Sequence, residues 1–142
     1  MKVKQVSIIF LCVGNACRSQ MAEAFARYFS AREFGNFFVP YSAGTFPAPY
    51  IPEEVFTVMA EENITLQGQF PKLISALPIK EADVVVTMGC EVECPAFPHK
   101  QLVEWDIPDP INSPLPFYRH VRDIIKSQVY DLLRSLYPPK GN

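Results

Sequence analysis

The chain begins with an apolar run, a small-residue loop and an amphipathic run that follow one another without interruption. The apolar run, Val6 to Leu11, does not alternate with polar residues, which predicts a strand buried on both faces. The amphipathic run, from Ser19 to about Arg32, places its apolar side chains on one stripe and predicts a helix. A buried strand that passes through a tight loop into a helix is typical of a parallel α/β sheet.

The loop between these runs has the residues of an oxyanion-binding site. Gly14 and Asn15 tolerate positive φ, so the loop can turn its backbone N–H groups inward. The helix N-terminus adds positive potential, and the Arg18 guanidinium adds a planar, two-pronged donor. The residues expected to hold the oxyanion are Val13, Gly14, Asn15, Ala16, Cys17, Arg18 and Ser19.

Cys12 stands at the floor of this predicted loop. The field that attracts an oxyanion also favours a thiolate, which predicts that Cys12 is the reactive cysteine. Ser19 either caps the helix or donates to that thiolate. Cys17 is either packing or the partner of Cys12 in a protective disulfide. The alternative for the whole segment is a strand–turn–helix with an incidental buried cysteine.

Length and composition limit the class of protein. The chain has 142 residues, of which 49% are hydrophobic, and this predicts a single domain over residues 1–142. A net charge of −2 with no dense basic run argues against nucleic acid and membrane partners. There is no signal-peptide pattern and no apolar run of about 18 residues, so we expect a cytoplasmic protein. We also expect a monomer that works without a cofactor.

Strand and helix patterns alternate along the chain. This predicts a three-layer α/β fold, with four parallel strands and helices on both faces of the sheet. Because ligands bind beyond the carboxyl ends of such strands, the loops after Leu11 and Thr87 should share one mouth. The predicted strands are 6–11, 37–41, 82–87 and 102–105; the predicted helices are 19–32, 52–63 and 113–137, with an ambiguous short helix in 71–77.

A second cysteine pair follows the third predicted strand. Cys90 and Cys94 are four positions apart, and on a helical turn that spacing gives a Cα separation of about 6 Å, which a disulfide tolerates. Three interpretations are open: two structural thiols, a zinc site completed by His99, or a redox pair. The zinc site lacks a fourth ligand, because the other cysteines belong to the anion loop.

Asp109 is the candidate general acid. Asp-Pro is common in turns, so Asp109 could be a turn residue only. Beside an oxyanion loop, however, a carboxyl group can protonate a leaving oxygen. Asp106 is the second candidate.

The motif Cys12-x-Gly14-Asn15-x-Cys17-Arg18-Ser19, followed by Met-Ala-Glu-Ala at positions 21–24, resembles the low-molecular-weight protein tyrosine phosphatase superfamily. Ser-Ala-Gly-Thr at 42–45 is similar to the exit of that family's second strand, and Asp109-Pro110 to its general-acid loop. The resemblance implies that Cys12 is the nucleophile, Arg18 the oxyanion ligand and Asp109 the acid.

Several residues resemble the thioredoxin-coupled arsenate reductase branch of this superfamily. These are Gln20 after the loop, Met88-Gly89-Cys90 with Cys94-Pro95, and Glu104-Trp105 before the acid loop. The segment after Pro110 lacks the tyrosines that phosphatases use to stack an aryl ring. The resemblance implies that Cys90 and Cys94 are resolving thiols. The spacer between them is shorter than is usual for thioredoxin-coupled members, so a glutathione or mycothiol system is an alternative reductant.

The potassium ion of some family members is not expected, because segment 63–66 lacks the aspartate that helps to bind it. Two other functions remain open. One is hydrolysis of phosphotyrosine, since phosphate and arsenate have nearly the same shape. The other is a protein without enzymatic activity that binds an oxyanion or senses thiol oxidation.

Overall fold

The computed structural model describes residues 4–89 and 97–138. Within these residues the chain forms four strands, three α-helices and a short 3-10 helix. Their bounds in chain order are β1 Val6–Cys12, α1 Arg18–Glu33, β2 Phe38–Gly44, α2 Glu53–Ala60, the 3-10 helix Ile74–Ala76, β3 Ala82–Thr87, β4 His99–Glu104 and α3 Leu115–Leu136.

The strands form one parallel sheet in the order β2-β1-β3-β4. As predicted from its unbroken apolar run, β1 lies inside the sheet, paired with β2 on one side and β3 on the other. The register sets Cys12 beside Gly44 and Leu11 beside Thr87. The carboxyl ends of β1, β2 and β3 therefore reach the same edge, where the anion loop begins.

Alternate residues of β1 face two different layers. Ile8, Phe10 and Cys12 face a large core that includes the buried side chains of α1, α2 and α3. Ile9 and Leu11 face a smaller core, covered by the 3-10 helix segment and Phe97. The predicted three-layer α/β arrangement is confirmed, with one layer made of α-helices and the other of a short 3-10 helix and its flanking chain.

Several element bounds differ from the sequence prediction, and strand β2 extends to Gly44 instead of ending at residue 41. Strand β4 begins at His99 instead of Leu102, because this edge strand is mostly exposed and its polar first half gives no hydrophobic signal. Helix α2 ends at Ala60 instead of Asn63, and Asn63 takes a positive φ of 60° in the turn that follows. Helix α3 begins at Leu115 instead of residue 113, with Pro114 at its N-cap position and no side-chain cap.

Candidate active site

The anion loop folds back over the end of β1. The Val13 and Gly14 carbonyls point away from Cys12 and accept hydrogen bonds from the N–H groups of Phe46 (2.8 Å) and Ala48 (2.9 Å). In a trans peptide the N–H points opposite to the carbonyl, so the amides of Gly14 and Asn15 turn toward the interior of the loop. The Asn15 N–H lies 3.2 Å from the Cys12 sulfur.

Gly44 allows this loop to approach β2 closely. A Cβ atom at position 44 would lie 2.6 Å from the Val13 carbonyl oxygen and 3.0 Å from the Asn15 Cβ, so any side chain would push the loop away. Asn15 itself has a φ of 49°, the left-handed conformation that the sequence predicted for this position.

The Cys12 thiol is buried and lies within reach of a directed hydroxyl. The Cys12 sulfur is 2.9 Å from Ser19 Oγ, and that oxygen accepts a hydrogen bond of 2.7 Å from Asn15 Nδ2. Because the Asn15 amide occupies one lone pair of Ser19 Oγ, the hydroxyl proton is free to point at the sulfur. Ser19 therefore follows the second of its two predicted roles: it contacts Cys12 and does not cap α1, whose N-cap is Cys17.

Arg18 joins three segments at the mouth of the site. Its Nη1 donates to the carbonyls of Met88 and Ile107, and its Nη2 lies 3.6 Å from Asp109 Oδ2. Gly89 leaves room for it, since a Cβ there would lie 2.9 Å from Arg18 Nη1, and Gly89 also has a φ of +86°. The first helical residue of α1 thus holds together the end of β3 and the segment that carries Asp109.

A cleft of about 110 Å³ opens at this point. It is a suitable size for a small oxyanion. It is lined by Cys12, Gly14, Ala16, Cys17, Arg18, Ala48, Asp109 and Ile111. Val13, Asn15 and Ser19, which were also predicted to hold the oxyanion, support the loop from behind the described lining.

Asp109 lies in a turn and also lines the cleft beside Arg18. Its Oδ1 accepts the Ile111 N–H at 3.2 Å, as a turn residue does, while Oδ2 faces Arg18. Its side chain remains 46% exposed, so a proton can exchange with solvent. Asp106, the second candidate, is exposed and is not part of the cleft lining, so the geometry favours Asp109.

Cys17 lines the same cleft but differs in its surroundings. Burial, with the negative charge of Asp109 as a second cause, raises the pKa of the Cys17 thiol to about 12. Burial and the neighbouring Cys17 also raise the pKa of the Tyr118 hydroxyl above its ordinary value. Cys12 and Cys17 both carry free thiols. At neutral pH Cys17 is therefore a protonated thiol and a poor nucleophile.

Cys90 and Cys94 lie outside the described residues. Gly89, which directly precedes Cys90, lies against Arg18 at the edge of the cleft. His99, the third residue of the open zinc interpretation, is at the start of β4, where its Nδ1 lies 2.6 Å from the Phe97 carbonyl oxygen. Within residues 4–89 and 97–138, no three side chains of His, Cys, Asp or Glu come together as a metal site.

Sequence reasoning missed the residues that support Asn15 from a distant segment. The Lys72 N–H donates to Asn15 Oδ1 at 3.0 Å, and its carbonyl accepts the Gly44 N–H at 2.8 Å. Gln69 contacts Gln20, which in turn contacts the Asn15 carbonyl. No sequence pattern identifies these contacts, because more than fifty residues separate Lys72 from the loop.

The family model for low molecular weight phosphotyrosine protein phosphatases matches residues 7–140. The chain belongs to this family. An arsenate reductase of Bacillus anthracis is 36% identical over 126 residues, which cover 87% of this chain and 90% of that protein.

Two solved structures of related proteins have the same fold. A solved arsenate reductase in its phosphate-binding state gives a TM-score of 0.80 at 29% identity, covering 94% of this chain and 99% of that one. A thioredoxin-dependent arsenate reductase of Corynebacterium glutamicum gives a TM-score of 0.73 at 27% identity, covering 95% of this chain and 63% of that one.

In the part of the chain that the structure describes, no helix is long and apolar enough to cross a membrane.

Proposed function

We propose that this protein is an arsenate reductase, with Cys12 as nucleophile, Arg18 as oxyanion ligand and Asp109 as general acid. The observation that carries the proposal is the convergence of these three side chains on one small cleft, in a chain whose relatives include arsenate reductases. The inward-turned amides of residues 14 and 15, together with Arg18, supply donors for the oxyanion oxygens.

In the first step the Cys12 thiolate attacks arsenic(V), and a sulfur–arsenic bond forms. A hydroxyl group leaves arsenic, and the Asp109 carboxyl group protonates it so that it departs as water. The Ser19 hydroxyl, directed at the Cys12 sulfur, stabilises the thiolate before attack.

In the second step a resolving thiol removes the product. We propose that the Cys90 thiolate attacks the Cys12 sulfur, forming a disulfide while the sulfur–arsenic bond breaks. The electron pair of that bond goes to arsenic, which leaves as arsenite, so two thiols supply the two electrons. Cys94 then attacks Cys90, frees Cys12 and leaves a Cys90–Cys94 disulfide. The position of Gly89 beside Arg18 supports Cys90 as the first resolving thiol.

The Cys90–Cys94 disulfide needs an external dithiol reductant for the next turnover. We propose thioredoxin, because the related protein of Corynebacterium glutamicum is thioredoxin-dependent. A glutathione or mycothiol system is the alternative. Such a relay operates in a reducing compartment, and we therefore propose a cytoplasmic location.

Steady-state arsenate reduction with thioredoxin, thioredoxin reductase and NADPH tests the proposal. We expect Cys12→Ser to abolish turnover and Asp109→Asn to lower kcat by about 10²-fold or more, because no acid then protonates the leaving oxygen. Cys90→Ser should also stop multiple turnovers, whereas the control Cys17→Ser should leave turnover measurable. Full activity in the Cys90→Ser enzyme would contradict the relay, and full activity in Cys12→Ser would contradict the function.

Phosphatase activity is the second candidate, and the family match supports it. A phosphatase would need Cys12, Arg18 and Asp109 but neither Cys90 nor Cys94. Hydrolysis of a phosphotyrosine peptide with kcat/KM of about 10⁴ M⁻¹s⁻¹ or more, unchanged in Cys90→Ser, would make this the main activity. The segment after Pro110 offers Ile111 and Asn112 where an aryl ring would need an aromatic partner, which favours arsenate.

A further inference from the structure

A line of hydrogen bonds leads from the surface of α1 to the anion loop. Arg27 Nη1 donates to Gln69 Oε1 at 3.0 Å. Gln69 Nε2 donates to both oxygens of Gln20, the backbone carbonyl at 3.0 Å and Oε1 at 2.8 Å. Gln20 Nε2 then donates to the Asn15 carbonyl at 2.9 Å. This line joins four residues from three separate segments of the chain.

All hydrogen bonds of this line run in the same donor-to-acceptor direction, and Arg27 fixes that direction. A guanidinium group only donates hydrogen bonds, so Gln69 must present its oxygen to Arg27 and its nitrogen to Gln20. Gln20 is completely buried and cannot turn to water for a partner. Its side-chain oxygen is therefore committed to Gln69, and its nitrogen to the Asn15 carbonyl.

Asn15 is the residue on which the donors around Cys12 depend. It is completely buried and takes a left-handed φ of 49°, which asparagine tolerates better than most residues, so its contacts decide how firmly this conformation is held. Its N–H points at the Cys12 sulfur, and its side-chain amide holds Ser19 Oγ. A rotation of the Asn15 backbone would move its N–H away from the sulfur and its side-chain amide away from Ser19 Oγ.

We propose that Gln69 is a positioning residue for the reaction at Cys12, acting through Gln20 to hold the Asn15 carbonyl. Gln69 is not among the residues that line the cleft, and it contributes by fixing the direction of the hydrogen bonds. The inference rests on the proposed nucleophilic role of Cys12. Under this proposal, a residue about fifty positions after the loop also determines how reactive Cys12 is.

The substitution Gln69→Glu tests this proposal with almost no change of shape. The glutamate keeps the contact with Arg27 as an ion pair but has no proton to donate, and it faces the two oxygens of Gln20. We expect Gln20 to release the Asn15 carbonyl. Alkylation of Cys12 by iodoacetamide near neutral pH, followed by peptide mass analysis, should then slow about ten-fold, the cost of a lost hydrogen bond to a charged group. The kcat for arsenate should fall in parallel, with a smaller change in KM.

Further variants separate the effect of charge from the effect of the lost hydrogen bond. Gln67→Glu makes the same charge change at an exposed neighbouring position and should leave alkylation unchanged. Gln69→Met removes the donors without adding charge and should also slow alkylation. In a Gln20→Met background, Gln69→Met should have no additional effect, because its only route to Asn15 is already lost.

Alkylation of Cys12 at the wild-type rate in both Gln69 variants would overturn the inference. Equal slowing by Gln67→Glu would also overturn it, since the effect would then be one of charge alone. Additive effects of the Gln20 and Gln69 substitutions would show a route that bypasses Gln20. If Cys12 of the wild-type protein is not the fastest cysteine to be alkylated, the proposed function fails, and this outcome is separate from the comparison among variants.

Discussion

At the scale of single residues, the two thiols of the anion loop have different surroundings. Cys12 and Cys17 are both buried, but the Asn15 N–H and the Ser19 hydroxyl face the sulfur of Cys12. Cys17 faces Asp109 and Tyr118, and burial keeps it protonated. Donors around one sulfur and a negative charge near the other give the two cysteines different chemistry.

Cys17 should make stability depend on alkaline pH. Its pKa is raised from 9.0 to about 12 in the folded protein, so above pH 9.0 the unfolded chain loses this proton while the folded protein keeps it. The free energy of unfolding should therefore fall as pH rises between 9.0 and about 12, by up to about 1.4 kcal/mol per pH unit.

Urea unfolding of the wild type and of Cys17→Ser over this pH range measures the effect. Serine does not ionise, so the difference in unfolding free energy between the two proteins should shrink as pH rises. A difference that stays constant across the range would mean that Cys17 ionises equally in both states.

At the scale of elements, a side chain joins the three strands β1, β3 and β4. Asp83 Oδ2 accepts the Ser7 N–H at 2.9 Å, and Oδ1 lies 3.3 Å from Lys100 Nζ. Burial pushes the pKa of Asp83 upward, but the Ser7 N–H and the Lys100 ammonium outweigh it and hold the pKa below its ordinary value of 3.8. This contact fixes the sheet at the end opposite to the cleft.

Asp83→Ala should lower the free energy of unfolding at neutral pH by about 1–3 kcal/mol, because the Ser7 N–H loses its acceptor. Because the folded pKa lies below 3.8, the contribution is complete above that pH and is lost as pH falls through the folded value. Chemical unfolding at neutral and acidic pH measures both effects. The control is Asp131→Ala, at an exposed position of α3, which should cost little. An equal cost for both variants would show that Asp83 is an ordinary surface residue.

At the scale of the whole molecule, the strand order brings distant segments to one mouth. The sheet places the end of β1 between β2 and β3, so segment 45–48, Gly89 and the segment carrying Asp109 all meet the anion loop. The proposed relay of thiols needs this arrangement, because the resolving cysteine must reach the sulfur of Cys12, which is the last residue of β1.

Timed blocking of thiols after exposure to arsenate should reveal the order of disulfides. We expect a Cys12–Cys90 bond first and a Cys90–Cys94 bond later, because Cys12 is the proposed nucleophile toward arsenic and the Cys90–Cys94 loop is short. Peptide mass mapping identifies each bond, and Cys94→Ser should stop the sequence at Cys12–Cys90. A Cys12–Cys17 bond would indicate protection against oxidation, and Cys12 joined to a small thiol would replace thioredoxin as the reductant.

The sequence by itself determined the parallel sheet, the anion loop and the catalytic candidates. The strongest signals are local: an unbroken apolar strand, a loop in which Asn15 takes a positive φ, and a helix start carrying Arg18. They lie within about fifteen adjacent residues, so hydrophobic pattern and residue chemistry were sufficient for them. The edge strand β4 was placed only in part, because its exposed residues carry no such pattern.

Only the tertiary structure decided how the loop is held. It places the Asp109 carboxylate 3.6 Å from Arg18, a contact that the sequence motif alone could not show. It also connects Asn15 to Lys72 directly and to Gln69 through Gln20, by contacts between segments that are distant in the chain. Such contacts depend on strand order and register, which bring Leu73 beside Gly44, and the local sequence does not encode this pairing in a readable pattern.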